Sequence, residues 1–142
     1  MIISYTRVAI DIFHYGHLRL LEHAKNSADY VVCGLYSDEL CLKWNGNLVM
    51  TYKERKDILL ALKCVDEVIE QSVLDPTENL KKIHDRFPES KIILFKGHQE
   101  WAGMPGTSFV KAIGGKVIRP KYYSKITRSM IREKLNSSIT SE

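Results

Sequence analysis

The chain predicts an α/β fold, a doubly wound parallel sheet of five strands with flanking helices. Three observations carry this. Strand-like and helix-like stretches alternate along the sequence. The strand-like runs are short and continuously apolar, as in strands covered on both faces. The length, 142 residues, suits one domain with a core of its own.

The elements follow in order. Residues 2–10 form a β-rich first run. A helical pattern opens at Tyr15 or Gly16, with Leu18, Leu21, Ala24 and Ala28 on one face. Residues 29–36 are a second, buried strand, and Trp44-Asn45-Gly46-Asn47 reads as a loop. Thr51 and Glu54 make a capping box that opens a helix to about Lys63, and residues 65–69 are a short strand. Asp75 as N-cap, Pro76 at N1 and Glu78 at N3 start the next helix, which buries Leu80, Ile83 and Phe87 and stops at Pro88. Residues 91–95 are a strand, 97–106 a loop, 107–113 a short helix, 116–118 the last strand and 127–135 the last helix. One domain over 1–135 and a polar, frayed tail over 136–142 are expected.

Composition narrows the class. With 44% hydrophobic and 27% charged residues the chain is neither disordered nor fibrous. No apolar run approaches the roughly 20 residues of a membrane span, and residues 1–7 lack a signal-peptide layout. A cytoplasmic protein with no membrane insertion is expected. Cys33, Cys41 and Cys64 cannot all pair and show no CxxC spacing, so they read as reduced cysteines. Residues 116–134 hold seven basic side chains and one acid, +6 of a net charge of +4, so the rest of the chain sums to −2. A phosphate-bearing partner fits that basic end. Nucleic acid fits less well, because aromatic and basic residues do not interleave on the strands.

Ligands of doubly wound sheets bind beyond the carboxyl ends of the strands, where strand order reverses. That singles out residues 11–17, 97–106 and 121–129. In the first of these, His14 and His17 flank Gly16 where a helix begins. A helix N-terminus attracts phosphate, Gly16 permits close approach, and both imidazoles can donate to phosphate oxygens, more strongly when protonated. No third ligand accompanies them for zinc.

This HxGH arrangement resembles the small nucleotidyltransferases of the cytidylyltransferase family. The resemblance runs from about Ile2 to Leu135. Ser37-Asp38-Glu39 matches the family's S/T-D-E, Tyr52-Lys53-Glu54-Arg55 its Y-x-x-R, and Val65-Asp66-Glu67-Val68 its V-D-E-V. Ile126-Thr127-Arg128-Ser129-Met130-Ile131-Arg132 is similar to its I-S-S-T-x-I-R. The resemblance implies a Rossmann-like sheet and attack by the phosphate of a small alcohol, or by a phosphonate, on the α-phosphorus of CTP. Pyrophosphate would leave and a CDP-alcohol form. Mg²⁺ would be held mainly through the nucleotide phosphates, with no metal site made of protein ligands. A homodimer with V-D-E-V near the contact is also implied.

By the same resemblance His14 and His17 hold the triphosphate and Arg55 supports the phosphate site. The family lysine aligns with Trp44 or Asn45, and the neighbouring Lys43 is expected to stand in for it, completing the catalytic set. Nucleotide binding is assigned to Ala9, Ile10, Asp11 and Gly16 in the first loop and to Gly97, Glu100 and Trp101 after the fourth strand. Lys121, Ile126, Thr127, Arg128 and Ser129 complete it before the last helix. The departures from the family pattern are Ala9 for a hydroxyl or thiol residue, Gly97-His98-Gln99-Glu100-Trp101 for G-D-D-W, and Lys121-Tyr122-Tyr123-Ser124 for R-T-x-G. They suggest an acceptor different from glycerol phosphate. Two other readings stay open, an ATP-dependent adenylyltransferase of the same fold and a degenerate nucleotide-binding module without turnover.

Overall fold

The computed structural model describes residues 1–95, 105–120 and 127–140, with side chains as far as residue 137. The strands are β1 (Ile2–Val8), β2 (Tyr30–Tyr36), β3 (Glu67–Gln71), β4 (Lys91–Phe95) and β5 (Lys116–Ile118). The helices are α1 (Tyr15–Ser27), α2 (Asp38–Asn45), α3 (Tyr52–Leu60), α4 (Thr77–Arg86), α5 (Thr107–Ala112) and α6 (Arg128–Thr140). The five strands form one sheet in the order β3-β2-β1-β4-β5, and every neighbouring pair is parallel. The chain therefore winds outward from β1 in both directions, and the order reverses between β1 and β4.

Alternation along each strand sorts the core into two layers. Val8 of β1, Cys33 and Leu35 of β2 and Phe95 of β4 pack with Leu21 of α1 and Leu59 of α3. On the opposite face Ile3 and Tyr5 of β1 and Leu94 of β4 pack with Leu80 and Ile83 of α4 and Val110 of α5. Helices thus cover both faces, as the buried strand runs require. Gly34 in β2 marks a close approach, because a Cβ there would lie 2.0 Å from the Tyr5 hydroxyl oxygen.

The structure corrects several predicted boundaries. The stretch read as a loop at 44–47 is the end of a helix, α2. Ser37 is its N-cap, with Oγ accepting from Leu40 N–H at 3.1 Å. Gly46, at φ 80°, is its left-handed C-cap and donates to Leu42 O. The third strand lies two residues later than predicted, over Glu67–Gln71. Pro76, not Asp75, is the N-cap of α4, though the Asp75 carboxylate still accepts from Thr77 N–H at 2.9 Å. The last helix continues past Leu135 to Thr140. Among the described residues no helix is long and apolar enough to cross a membrane.

Candidate active site

A cavity of about 230 Å³ opens at the carboxyl end of β1. Its floor is the chain from Val8 to Ile12, and His17 of α1, Trp44 and Asn45 of α2 and Arg128 of α6 close the sides. Ile10 in the floor adopts φ +43° although it is β-branched. Such a backbone costs on the order of 1–3 kcal/mol and persists only where the surroundings over-determine it. Here they do, since Ile10 is buried in the core beside Val8 and the next residue is anchored. The Asp11 side chain is fully buried. Its two oxygens accept from Val49 N–H at 2.8 Å, and Oδ1 also accepts from Met50 N–H at 2.8 Å. Asp11, expected to bind nucleotide, therefore holds the 47–50 loop against the end of β1.

The two histidines cap α1 reciprocally. His14 is the N-cap, and its Nδ1 accepts from Gly16 N–H at 3.0 Å. His17 occupies N3, and its Nδ1 accepts from His14 N–H at 3.1 Å. This is the logic of a capping box with imidazoles in place of hydroxyl and carboxylate. The ring centroids lie 3.9 Å apart. An Nδ1 that accepts from an amide carries no proton, so each neutral ring bears its hydrogen on Nε2. The capping bonds thereby fix both tautomers and leave Nε2–H as the donor of each ring that the cap does not use. Burial pushes both imidazoles below the usual histidine value, His17 to about 3 with His14 adding to the effect. In this structure burial therefore favours the neutral form of both rings over the protonated one.

Arg55 sits differently from its expected catalytic role. Its side chain is fully buried. Nε donates to Met50 O at 3.1 Å, and Nη1 to Ala9 O at 2.9 Å and Tyr36 O at 2.8 Å. Nη2 pairs with Asp38 Oδ1 at 2.8 Å. One guanidinium thus ties the ends of β1 and β2 to the start of α2 and to the 50-loop. It shapes the cavity floor through Ala9 and is a positioning residue. Lys43 is not among the residues lining the cavity. It is exposed in the last turn of α2, and the residues that reach the cavity are its neighbours Trp44 and Asn45.

At α6 Thr127 caps the helix, its Oγ1 accepting from Met130 N–H at 3.2 Å. Ser129 is exposed beside it. Arg128 Nη2 donates to Asp11 Oδ2 at 3.3 Å and to Asn47 Oδ1 at 2.9 Å. Its Nε is shielded from solvent and has no partner among the described residues. The structure thus gathers Ala9, Ile10, Asp11, His17 and Arg128 around one cavity, with the His14 ring tilted against His17 and Gly16 donating to His14. Gly97, Glu100, Trp101, Lys121 and Ile126 lie outside the described residues.

Sequence reasoning gave no site role to Trp44, Asn47 or Arg7, the last lining the same cavity. The signal for the first two was available. Ser37 followed by two acids, then Gly46, marks a helix that brings Trp44 to the cavity and sets Asn47 just past its C-cap, within reach of Arg128. Among the described residues no group of three or more His, Cys, Asp or Glu side chains is arranged to hold a metal. The carboxylate in the cavity, Asp11, is committed to Val49, Met50 and Arg128.

A cavity at the strand-order reversal, a helix N-terminus capped by imidazoles and a second helix start carrying an arginine make an α/β site whose chemistry suits phosphate groups. A family model described as cytidylyltransferase-like matches residues 10–134, and the chain belongs to that family. It is 37% identical over 93 residues to the glycerol-3-phosphate cytidylyltransferase of Bacillus spizizenii, covering 66% of this chain and 67% of that protein. It is 30% identical over 138 residues to the bifunctional protein HldE of Citrifermentans bemidjiense, covering 96% of this chain and 27% of that protein. The solved structure of the lipopolysaccharide core biosynthesis protein from Thermoplasma volcanium GSS1 matches with a TM-score of 0.72 at 23% identity, over 87% of this chain and 99% of that one. That last likeness speaks for the fold.

Proposed function

We propose that the protein transfers CMP from CTP to a small phosphorylated alcohol or a phosphonate and releases pyrophosphate. The observation that carries this reading is the reciprocal His14–His17 cap, which presents two neutral Nε2–H donors at the positive end of α1. An acceptor phosphate is already anionic, so it needs no general base. Its oxygen forms a bond to the α-phosphorus of the nucleotide as the bond to pyrophosphate breaks. The work left to the protein is positioning and stabilisation of charge on the phosphoryl oxygens. His14 and His17 donate to those oxygens. Arg128 and the Thr127-capped start of α6 receive the outer phosphates. Since Asp11 is committed to the 47–50 loop and to Arg128, Mg²⁺ fits best as a partner of the nucleotide's own phosphates, where it shields their charge.

Thermal unfolding with Mg²⁺ and each of CTP, ATP, GTP and UTP tests the nucleotide. At a hundredfold its dissociation constant a ligand adds about 2.7 kcal/mol, on the order of several degrees for a domain of this size. A CTP-selective shift followed by pyrophosphate release with phosphoalcohols is the expected result. An ATP-selective shift moves the protein to adenylyl transfer. No shift with any of the four overturns the enzyme reading.

We also expect a homodimer. Within one chain the V-D-E-V side chains already have partners. Asp66 accepts from Val31 N–H at 2.8 Å, Glu67 takes Arg86 at 2.6 and 2.8 Å, and Val65 and Val68 are core residues. Any dimer contact there uses their outer edges, and a monomer in equilibrium sedimentation at high concentration would refute it.

A further inference from the structure

Asn47 stands just past the left-handed turn at Gly46, on the exposed side of the loop that Asp11 holds. Its Oδ1 accepts from Arg128 Nη2 at 2.9 Å and from Arg132 Nη2 at 3.4 Å. The two arginines are four residues apart on α6, so both reach one acceptor from the same helix face. A single carboxamide oxygen thus joins α6 to the cavity wall. We infer that Asn47 is a positioning residue, which docks the start of α6 over the cavity and holds the Arg128 guanidinium there without neutralising it. The inference rests on the phosphate-transfer reading of the site.

The charge logic decides between Asn and an acid at this place. Asp11 is the carboxylate paired with Arg128 among the described residues, but its contact is the longer one at 3.3 Å. Its oxygens also accept three backbone N–H bonds of 2.8 Å from Val49 and Met50. The shorter bond of Arg128 goes to a neutral amide. A neutral acceptor fixes the geometry of a guanidinium and leaves its charge for an incoming anion. The Arg128 side chain is 24% exposed, so its guanidinium edge is what such an anion would meet, while the Nε–H is shielded from solvent and unpartnered among the described residues. Arg132 has no place in the cavity lining. Its role here is to share the dock.

The test uses Asn47→Ala and Asn47→Asp in the full chain, with two readouts. Amide exchange at Met130 and Ile131, whose N–H groups bond Thr127, reports docking without any ligand. Calorimetric titration with Mg²⁺-pyrophosphate and with Mg²⁺-CTP reports the available charge. Asn47→Ala is expected to speed exchange and to weaken both ligands by about tenfold, the scale of a lost hydrogen bond to a charged group. Asn47→Asp is expected to keep α6 docked, with exchange at or below the wild-type rate, yet to weaken both ligands, because its carboxylate cancels the arginine charge.

Unchanged exchange and affinity in Asn47→Ala would overturn the positioning role. Wild-type affinity in Asn47→Asp would overturn the charge argument, since a purely structural dock predicts that rescue. Pyrophosphate binding without preference for CTP would sink the cytidylyl reading and leave the role of Asn47 standing. Wild-type protein that binds neither ligand would sink both.

Discussion

Two arginines flank the end of β1, and their surroundings are opposite. Arg55, on the α3 side, is fully buried, and carbonyls of three segments and a carboxylate receive its donors. Arg128, on the α6 side, is 24% exposed, with one good bond to a neutral amide, one long contact to Asp11 and a shielded, unpartnered Nε. The first guanidinium is saturated by the protein and holds the wall in shape. The second is held in place with its charge still available. The histidine pair combines both behaviours, saturated at Nδ1 by the cap and unused by it at Nε2. A residue type beside a phosphate cavity does not reveal its role until its donors are counted.

The comparison breaks first at Arg55. Arg55→Ala leaves the carbonyls of Ala9, Tyr36 and Met50 without their donor and the 42% exposed Asp38 carboxylate without its partner. The stranded carbonyls and the emptied side-chain volume cost about 2–4 kcal/mol. Urea unfolding should show a loss of that size, with turnover falling because the cavity floor is gone. A variant that unfolds like wild type yet loses activity would return Arg55 to the catalytic set.

Next in size are the histidines. His14→Ala and His17→Ala each remove a preorganised donor, an effect of about 10²–10³ in kcat, while the lost cap costs about 1 kcal/mol of stability. Steady-state pyrophosphate release checks the first number and thermal unfolding the second. Near wild-type kcat in either variant would exclude it from catalysis. Arg128→Ala should fall below these. We expect Mg²⁺-CTP affinity to drop by about tenfold and stability by about 1 kcal/mol or less, since its contacts are partly solvated.

The pH dependence follows from the same burial. Both imidazoles lie below their unfolded value, His17 at about 3. Between the unfolded histidine value and about 3 the unfolded chain binds the proton that folded His17 refuses. Stability due to His17 is therefore fully present above the unfolded value and is lost as pH falls through that window. His17→Ala should flatten the acid side of a stability–pH curve measured by urea unfolding. The kcat of the wild type should show no histidine inflection between pH 6 and 8, whereas a pair acting as imidazolium would make the rate fall as pH rises there.

Much of the fold was legible because its signals are local. The apolar runs of β2 and β4, the Thr51–Glu54 box and the helix that buries Leu80 and Ile83 each carry their own pattern. The first loop was legible as well, since His14, Gly16 and His17 stand at a helix start. What stayed hidden depends on partners distant in sequence. Asp11 looks like a ligand-binding acid until Val49 and Met50 fold onto it, 38 and 39 residues away. The burial of Arg55 has no local signature because the carbonyls it serves belong to the residue after β1, the end of β2 and a loop. The positive φ of Ile10 has no signature in an isoleucine, because only the anchored chain around it imposes that conformation. The run Trp44-Asn45-Gly46-Asn47 has the composition of a loop, yet its glycine is the C-cap of a helix.

That helix end carries the smallest predicted effect and the sharpest contrast between neighbours. Lys43 and Trp44 follow each other on α2, both exposed, but only the indole lines the cavity. Trp44 is a large apolar side chain left 58% exposed, a position that an occupied cavity would partly cover. Covering it adds apolar burial to substrate binding at about 25 cal/mol per Å². Trp44→Ala should raise the KM of one substrate by about three- to tenfold with a smaller change in kcat, the mark of binding that does not change in the transition state. The substrate so affected is the one that lies against α2. Lys43→Ala should leave KM, kcat and the unfolding midpoint at their wild-type values. If instead Lys43→Ala raises KM while Trp44→Ala does not, the long lysine stem reaches the cavity in the substrate complex, and α2 supplies a second available cation beside Arg128.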